Sequence, residues 1–131
     1  MQPRPRGDAG ASVVEFVLVG ALLLFVAFGV LQVGLVLHAR NVLAADAAEG
    51  ARHAASLNVP IGSGASVATE LARRSVPGLA PGLTCRAQQT AGPDGLAVAE
   101  VTCTAGLHLA FLPMGTVHVS VTGRSLKESA Q

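Results

Sequence analysis

The chain has 131 residues and a formal net charge of +1, which allows one ordinary domain and gives no concentrated basic surface for a nucleic acid. Half of the residues are hydrophobic and only 13% are charged, which excludes an intrinsically disordered chain. The four aromatic residues are all Phe, and Phe16, Phe25 and Phe28 fall within the first thirty positions, so the apolar content is not spread as in a globular core.

Residues 16–37 form an uncharged run of 22, FVLVGALLLFVAFGVLQVGLVL, in which Gln32 is the only strongly polar side chain. As a helix it spans about 30 Å, the thickness of the hydrocarbon core of a bilayer. Arg4 and Arg6 precede it, and the positive-inside rule then places the N-terminus in the cytoplasm and the remainder outside. A cleaved secretory signal is the rival reading, with Ala45-Asp46-Ala47 as a small-x-small site, but such signals have apolar cores of about 7–15 residues.

Helical character continues past the apolar run. Residues 38–57 contain eight Ala, one Gly and no Pro, and Asn58-Val59-Pro60 then ends the helix. A single helix over residues 12–57 is predicted, about 70 Å long. In its outer half Ala44, Ala47, Ala48, Ala51 and Ala55, with Gly50 beside them, recur at spacings of three to four. Ala47, Gly50 and Ala51 are therefore candidates for close helix packing, against the alternative of a merely Ala-rich composition. Asp46 and Glu49 read as a solvated face.

Residues 58–131 read as a small α+β domain. Ile61-Gly62-Ser63-Gly64 reads as a flexible link, followed by a short helix over residues 65–75 with Ser63 or Ser66 as N-cap. That helix is expected to bury Val67, Ala68, Leu71 and Ala72 and to pair Glu70 with Arg74. Turns are expected at Val76-Pro77-Gly78 and Pro81-Gly82. Residues 83–90 and 96–105 then read as two strands around Gly92-Pro93-Asp94-Gly95. Centring the turn on Asp94 pairs Leu83 with Ala105, Cys85 with Cys103 and Ala87 with Val101, all on one face, and leaves Thr84, Arg86, Gln88, Thr102 and Thr104 on the other. Residues 115–124 read as a third strand with Val117, Val119 and Val121 inward, and residues 107–114 as an irregular crossover or short edge strand. The expected fold class is α+β, a long N-terminal transmembrane helix followed by a short helix and a three- to four-stranded antiparallel sheet.

The two cysteines face each other in that register, so Cys85 and Cys103 are expected to form a disulfide in a compartment outside the cytoplasm. No CxxC occurs, and two Cys alone do not make a zinc site. The four His are scattered, Gly62-Ser63-Gly64 lacks the third Gly of a dinucleotide loop, and neither a P-loop nor GxSxG is present. No catalytic residue, metal, cofactor or small-molecule substrate is expected.

One acid stands in an expensive place. Glu15 opens the apolar run between Val14 and Phe16, where a carboxylate must pair or reach the interface. Five residues before it is Gly10, within Gly10-Ala11-Ser12-Val13-Val14-Glu15-Phe16, and residues 1–10 are short, polar and basic. This layout resembles the type IV prepilin cleavage motif. With Ala48-Glu49-Gly50-Ala51-Arg52-His53-Ala54-Ala55 further on, it more narrowly resembles the TadE-like minor pilins, or pseudopilins, of the tight-adherence (Flp) pilus system, in which GAxxVEF opens the helix and an AxEGARxAA segment follows.

The resemblance implies a bacterial single-pass membrane protein in which residues 1–10 are a cytoplasmic leader, residues 11–57 the long helix with its membrane span at about 14–37, and residues 58–131 the outer domain. It implies cleavage between Gly10 and Ala11 by an aspartic prepilin peptidase. It also implies roles for Glu15 and Phe16 in assembly with other pilus subunits and the assembly platform, for surface attachment. Two other readings lead elsewhere: an unprocessed membrane anchor with an outer binding or scaffold domain, and a secreted protein released near Asp46 or Ala47.

Overall fold

The structure is a computed structural model, and it describes residues 8–76, 82–108 and 115–128. The basic leader residues Arg4 and Arg6, the expected turns at Pro77, Gly78 and Pro81, and residues 109–114 of the expected crossover lie outside the described residues.

Helix α1 (Asp8–Ala55) is one continuous helix of 48 residues, and α2 (Ser63–Ser75) follows it. Strands β1 (Thr84–Ala91), β2 (Ala97–His108) and β3 (Thr116–Leu126) form an antiparallel sheet in the order β1-β2-β3. The fold is α+β, as the sequence predicts, with three strands. Leu107 and His108 continue β2 instead of starting a crossover, because Leu107 pairs with Val117 and His108 with Thr116 on β3.

The hairpin register is the one the turn and the alternation predict. Cys85 pairs with Cys103 and Ala87 with Val101, and Gly95, at φ +73°, supplies the left-handed residue that closes the turn. The amide of Gly92 donates to the Leu96 carbonyl at 2.8 Å. The inward face of the sheet carries Val101, Cys103, Ala105, Val119 and Val121, all buried. Both helices lie on that face, and Leu43, Ala47 and Ala51 of α1 and Ala68 and Ala72 of α2 complete one core cluster.

This core is built from small side chains. Leu43, Val101 and Cys103 are its largest fully buried members, so the layers must approach closely to fill space. They do so at glycines. A Cβ on Gly123 of β3 would collide with the backbone of Ala47 and Ala48, so the strand lies directly on the helix.

Two expectations for α2 are corrected. The helix begins at Ser63, two residues earlier than expected, and neither Ser63 nor Ser66 caps it. Gly62 is the N-cap, without a side-chain hydrogen bond, while the Ser63 hydroxyl donates to the Pro60 carbonyl at 2.7 Å. The segment expected to be a flexible link is a tight turn into α2, and Ile61 packs on the small cluster of Ala54, Ala55 and Ala99. Gly64, Ala68 and Ala72 are the buried positions of α2, whereas Val67 and Leu71 are only half-buried. A glycine and alanines form the seam because α1 approaches too closely for larger side chains.

The C-terminal residues secure the end of α1. Lys127 Nζ donates to the carbonyls of Ala54 and Val59, the Glu128 amide donates to Ala55, and the Glu128 carboxylate accepts from the Leu57 amide. The bonds to Ala54 and Ala55 satisfy carbonyls that a helix C-terminus leaves without intrahelical partners. Asn58, at φ 62°, turns the chain away in the left-handed conformation that Asn tolerates.

Candidate assembly surfaces of the long helix

Helix α1 has two halves with opposite environments. From Val13 to Leu35 the large apolar side chains are exposed, Phe16 at 79%, while Val36 is half-buried and Leu43, Ala47, Ala51 and Ala54 are fully buried or nearly so. The apolar half is long enough to cross a membrane, and among the described residues none of its most hydrophobic stretch is buried. The outer half is the central element of the small domain.

Gly10, Ala11, Glu15 and Phe16 all lie in the first turns of α1. A Cβ on Gly10 would meet nothing within 4 Å. Ala11 and Glu15 stand four residues apart, so they occupy the same helical face. Glu15 and Phe16 are both exposed.

Ala47, Gly50 and Ala51 are placed together at the seam of the outer half. The helix that approaches Gly50 is the chain's own α2, and the backbone of Ala47 is approached by Gly123 of β3. A Cβ on Gly50 would stand 2.5 Å from the Gly64 carbonyl oxygen and 2.8 Å from the Ala68 Cβ. Ala47 and Ala51 are both fully buried. The segment Ala48-Glu49-Gly50-Ala51-Arg52-His53-Ala54-Ala55 thus divides by function. Its small residues Gly50, Ala51, Ala54 and Ala55 face the domain, and Glu49 and Arg52 form an exposed ion pair at 3.0 Å. The same exposed arrangement joins Glu70 and Arg74 on α2, at 2.7 Å.

Asp46 corrects the expectation of a solvated face. It is only 9% exposed, and its Oδ2 has no hydrogen-bond partner among the described residues. Burial pushes its carboxyl above the usual range, and the Ser75 hydroxyl donating to it opposes that rise. Glu100 on the outward face of the sheet behaves in the opposite way. It accepts from Gln88 on β1 at 2.8 Å and from Arg124 on β3 at 2.6 Å, and these two partners hold its carboxyl below the ordinary range. The three residues tie the strands together across the polar face.

Cys85 and Cys103 form a disulfide across β1 and β2, with Cα atoms 4.1 Å apart. Among the described residues, no group of three or more His, Cys, Asp or Glu gathers as a metal site would require. Sequence reasoning missed Gln32 as well as Asp46. Gln32 is 7% exposed, and neither polar atom of its amide has a partner among the described residues.

No curated protein and no solved structure matches the chain. A family model described as TadE-like protein matches residues 10–52, about a third of the chain. The match starts at the glycine of the GxxxxE motif and ends within the small-residue seam, leaving α2 and the sheet outside it. Across residues 10–52, through the exposed apolar half and into the buried half of its long helix, the chain is similar to TadE-like proteins.

Proposed function

We propose that the chain is a minor pilin or pseudopilin of a tight-adherence (Flp) pilus system, processed by a prepilin peptidase and used in assembling a pilus for surface attachment. The observation that carries this reading is the coincidence of the TadE-like match with the two-sided helix. An anchor that must leave the bilayer and pack among other subunits needs an apolar surface its own domain does not cover. Such a surface runs from Val13 to Leu35, interrupted at the buried Gln32.

In this reading the N-terminus is cytoplasmic, residues 16–37 span the membrane, and the domain is extracytoplasmic and binds partners without performing chemistry. The peptidase cuts between Gly10 and Ala11, where the missing side chain admits the bond to a narrow cleft. After cleavage the new ammonium at Ala11 and the Glu15 carboxylate lie on one face of the helix. Glu15 takes its own N-terminus or that of a neighbouring subunit, and Phe16 contributes apolar contact beside it. Pairing with a neighbour sets the axial stagger between adjacent helices.

One observation favours the unprocessed anchor as a second reading: the Gly10–Ala11 bond lies inside α1. A peptidase must unwind it, although a first helical turn lacks half of its hydrogen bonds and frays readily. N-terminal sequencing of the protein from its native host decides between the two. A mature chain beginning at Ala11, with the leader retained in Gly10→Val, is the expected result. A wild-type protein that keeps its leader in the presence of the peptidase overturns the processed reading.

A further inference from the structure

Where α1 passes from its exposed half to its buried half, a cleft of about 380 Å³ opens between the helix and the domain. Its walls include Val36 and Ala39 of α1, Val76 at the end of α2 and Leu107 near the end of β2. The lining is mostly apolar, and its polar members are Gln32 and His38 on the helix side and His108 on the sheet side. Such a cavity falls within the range of about 300–1,000 Å³ typical of ligand pockets, which are apolar with a few polar groups that fix orientation.

Gln32 points to the chemistry of the occupant. Neither its amide nitrogen nor its amide oxygen has a hydrogen-bond partner among the described residues, although the residue is 7% exposed. A buried amide left unpaired is costly, so a partner entering through the cleft would be favoured. A neighbouring helix is too thick for this role. It measures about 10 Å across with its side chains, whereas the Gln32 amide is buried and its neighbours Leu31 and Leu35, at 58% and 60% exposed, would meet a helix first. A slender apolar chain bearing a polar linkage fits both features.

We infer that the cleft takes one acyl chain of an ester-linked phospholipid from the outer leaflet, with the Gln32 amide turning on its flexible stem to donate to the ester carbonyl. This rests on the membrane reading of residues 16–37 proposed above. The cleft is continuous with the exposed apolar stripe of α1 at Leu31 and Leu35, so an acyl chain beside the helix can enter without crossing water. His108 lines the same cleft, and its Nδ1 lies 3.3 Å from the Thr116 hydroxyl, which sets a polar pair beside the linkage and headgroup. The lipid would act as a removable filler between the anchor and the domain.

The test uses the full chain in phosphatidylglycerol vesicles containing a phosphatidylglycerol with a diazirine on one acyl chain, in ester-linked and ether-linked forms. After irradiation, crosslinked residues are mapped by mass spectrometry. Crosslinks on Val76 and Leu107 are expected, because these domain residues meet an acyl chain only inside the cleft. The ester form should exceed the ether form there about five-fold, the factor that one net hydrogen bond gives. Gln32→Leu should bring that ratio to about one, and Val36→Trp, which fills the cleft, should remove the Val76 and Leu107 crosslinks. Crosslinks confined to exposed helix residues away from the cleft, such as Leu18 and Leu22, would overturn the inference while leaving the membrane span intact. Crosslinks nowhere on the chain would overturn both. Equal ester and ether yields in the wild type would overturn the role of Gln32 in the recognition.

Discussion

Gly50 of α1 and Gly64 of α2 meet backbone to backbone: a Cβ on either would lie 2.5–2.6 Å from the carbonyl oxygen of the other. Neither backbone can retreat, because α2 is also held against the sheet through Gly64 and the Val101 side chain. Gly50→Ala and Gly64→Ala are each expected to destabilise the outer domain by about 1–3 kcal/mol, the cost of overpacking, even after the gain of up to about 1 kcal/mol in helix propensity. Thermal unfolding of the domain measures this. Gly29→Ala and Gly34→Ala, where a Cβ meets nothing within 4 Å, are the controls and should leave the transition unchanged.

The disulfide is expected to stabilise the same core from the other side. Cys85 and Cys103 close a loop with a sequence separation of 18, worth about 3 kcal/mol in the chain-entropy model. Cys85→Ser should cost about 2–4 kcal/mol of domain stability without affecting membrane insertion. Both cysteines should resist alkylation in unreduced native protein. Free alkylation of both would contradict the bridge.

Much of this architecture is legible in the sequence, and the parts that are not share a cause. The Cys85–Cys103 register follows from local chemistry, a Gly-Pro-Asp-Gly turn flanked by period-two alternation. The length of α1 follows from an unbroken run of helix formers ending at Pro60. The burial of Asp46 does not follow, because the outer half of α1 is so rich in Ala that no polar-apolar contrast marks the buried side. Which face is covered depends on where α2 docks, and that is set by Gly50 and Gly64, far apart in sequence. Lys127 and Glu128 cap α1 from about seventy residues away, with no local signal. For Gly10 and Glu15 the situation is reversed. Their spacing is the clearest motif in the chain, yet the fold leaves them exposed or in open space, because their expected partners are other molecules.

Asp46 gives a pH-dependent expectation. Its folded carboxyl is raised above the ordinary value by burial. The folded state therefore holds the proton more tightly than the unfolded chain. Stability from this group is fully present below the unfolded value near 4 and is lost as pH rises through the higher folded value. Asp46→Asn removes the buried charge and keeps an oxygen for the Ser75 hydroxyl. Its thermal midpoint is expected to exceed that of the wild type at pH 7, with the gap narrowing as pH falls towards 4. A gap that widens on acidification would show that Asp46 is stabilised in its charged form.

Glu15 provides the test of assembly. It sits exposed near the start of α1, one helical turn beyond Ala11, at the edge of the run proposed to span the bilayer. An ammonium at Ala11 and a carboxylate at Glu15 are each costly there without a partner, and their pairing serves register more than stability, since the desolvation of both charges offsets most of the attraction. Glu15→Gln keeps the shape and removes the charge. It should still insert and still be cleaved after Gly10, yet co-purify with other pilus subunits at a level reduced about ten-fold, the factor given by roughly 1.4 kcal/mol of lost pairing. Glu15→Asp, with a shorter reach, should fall between. Leader removal and subunit co-purification are measured together in all three forms, so a processing defect is separated from an assembly defect. Wild-type partner capture by the Gln form would mean that Glu15 only reaches into the headgroups, as an isolated acid at a membrane edge can do unaided.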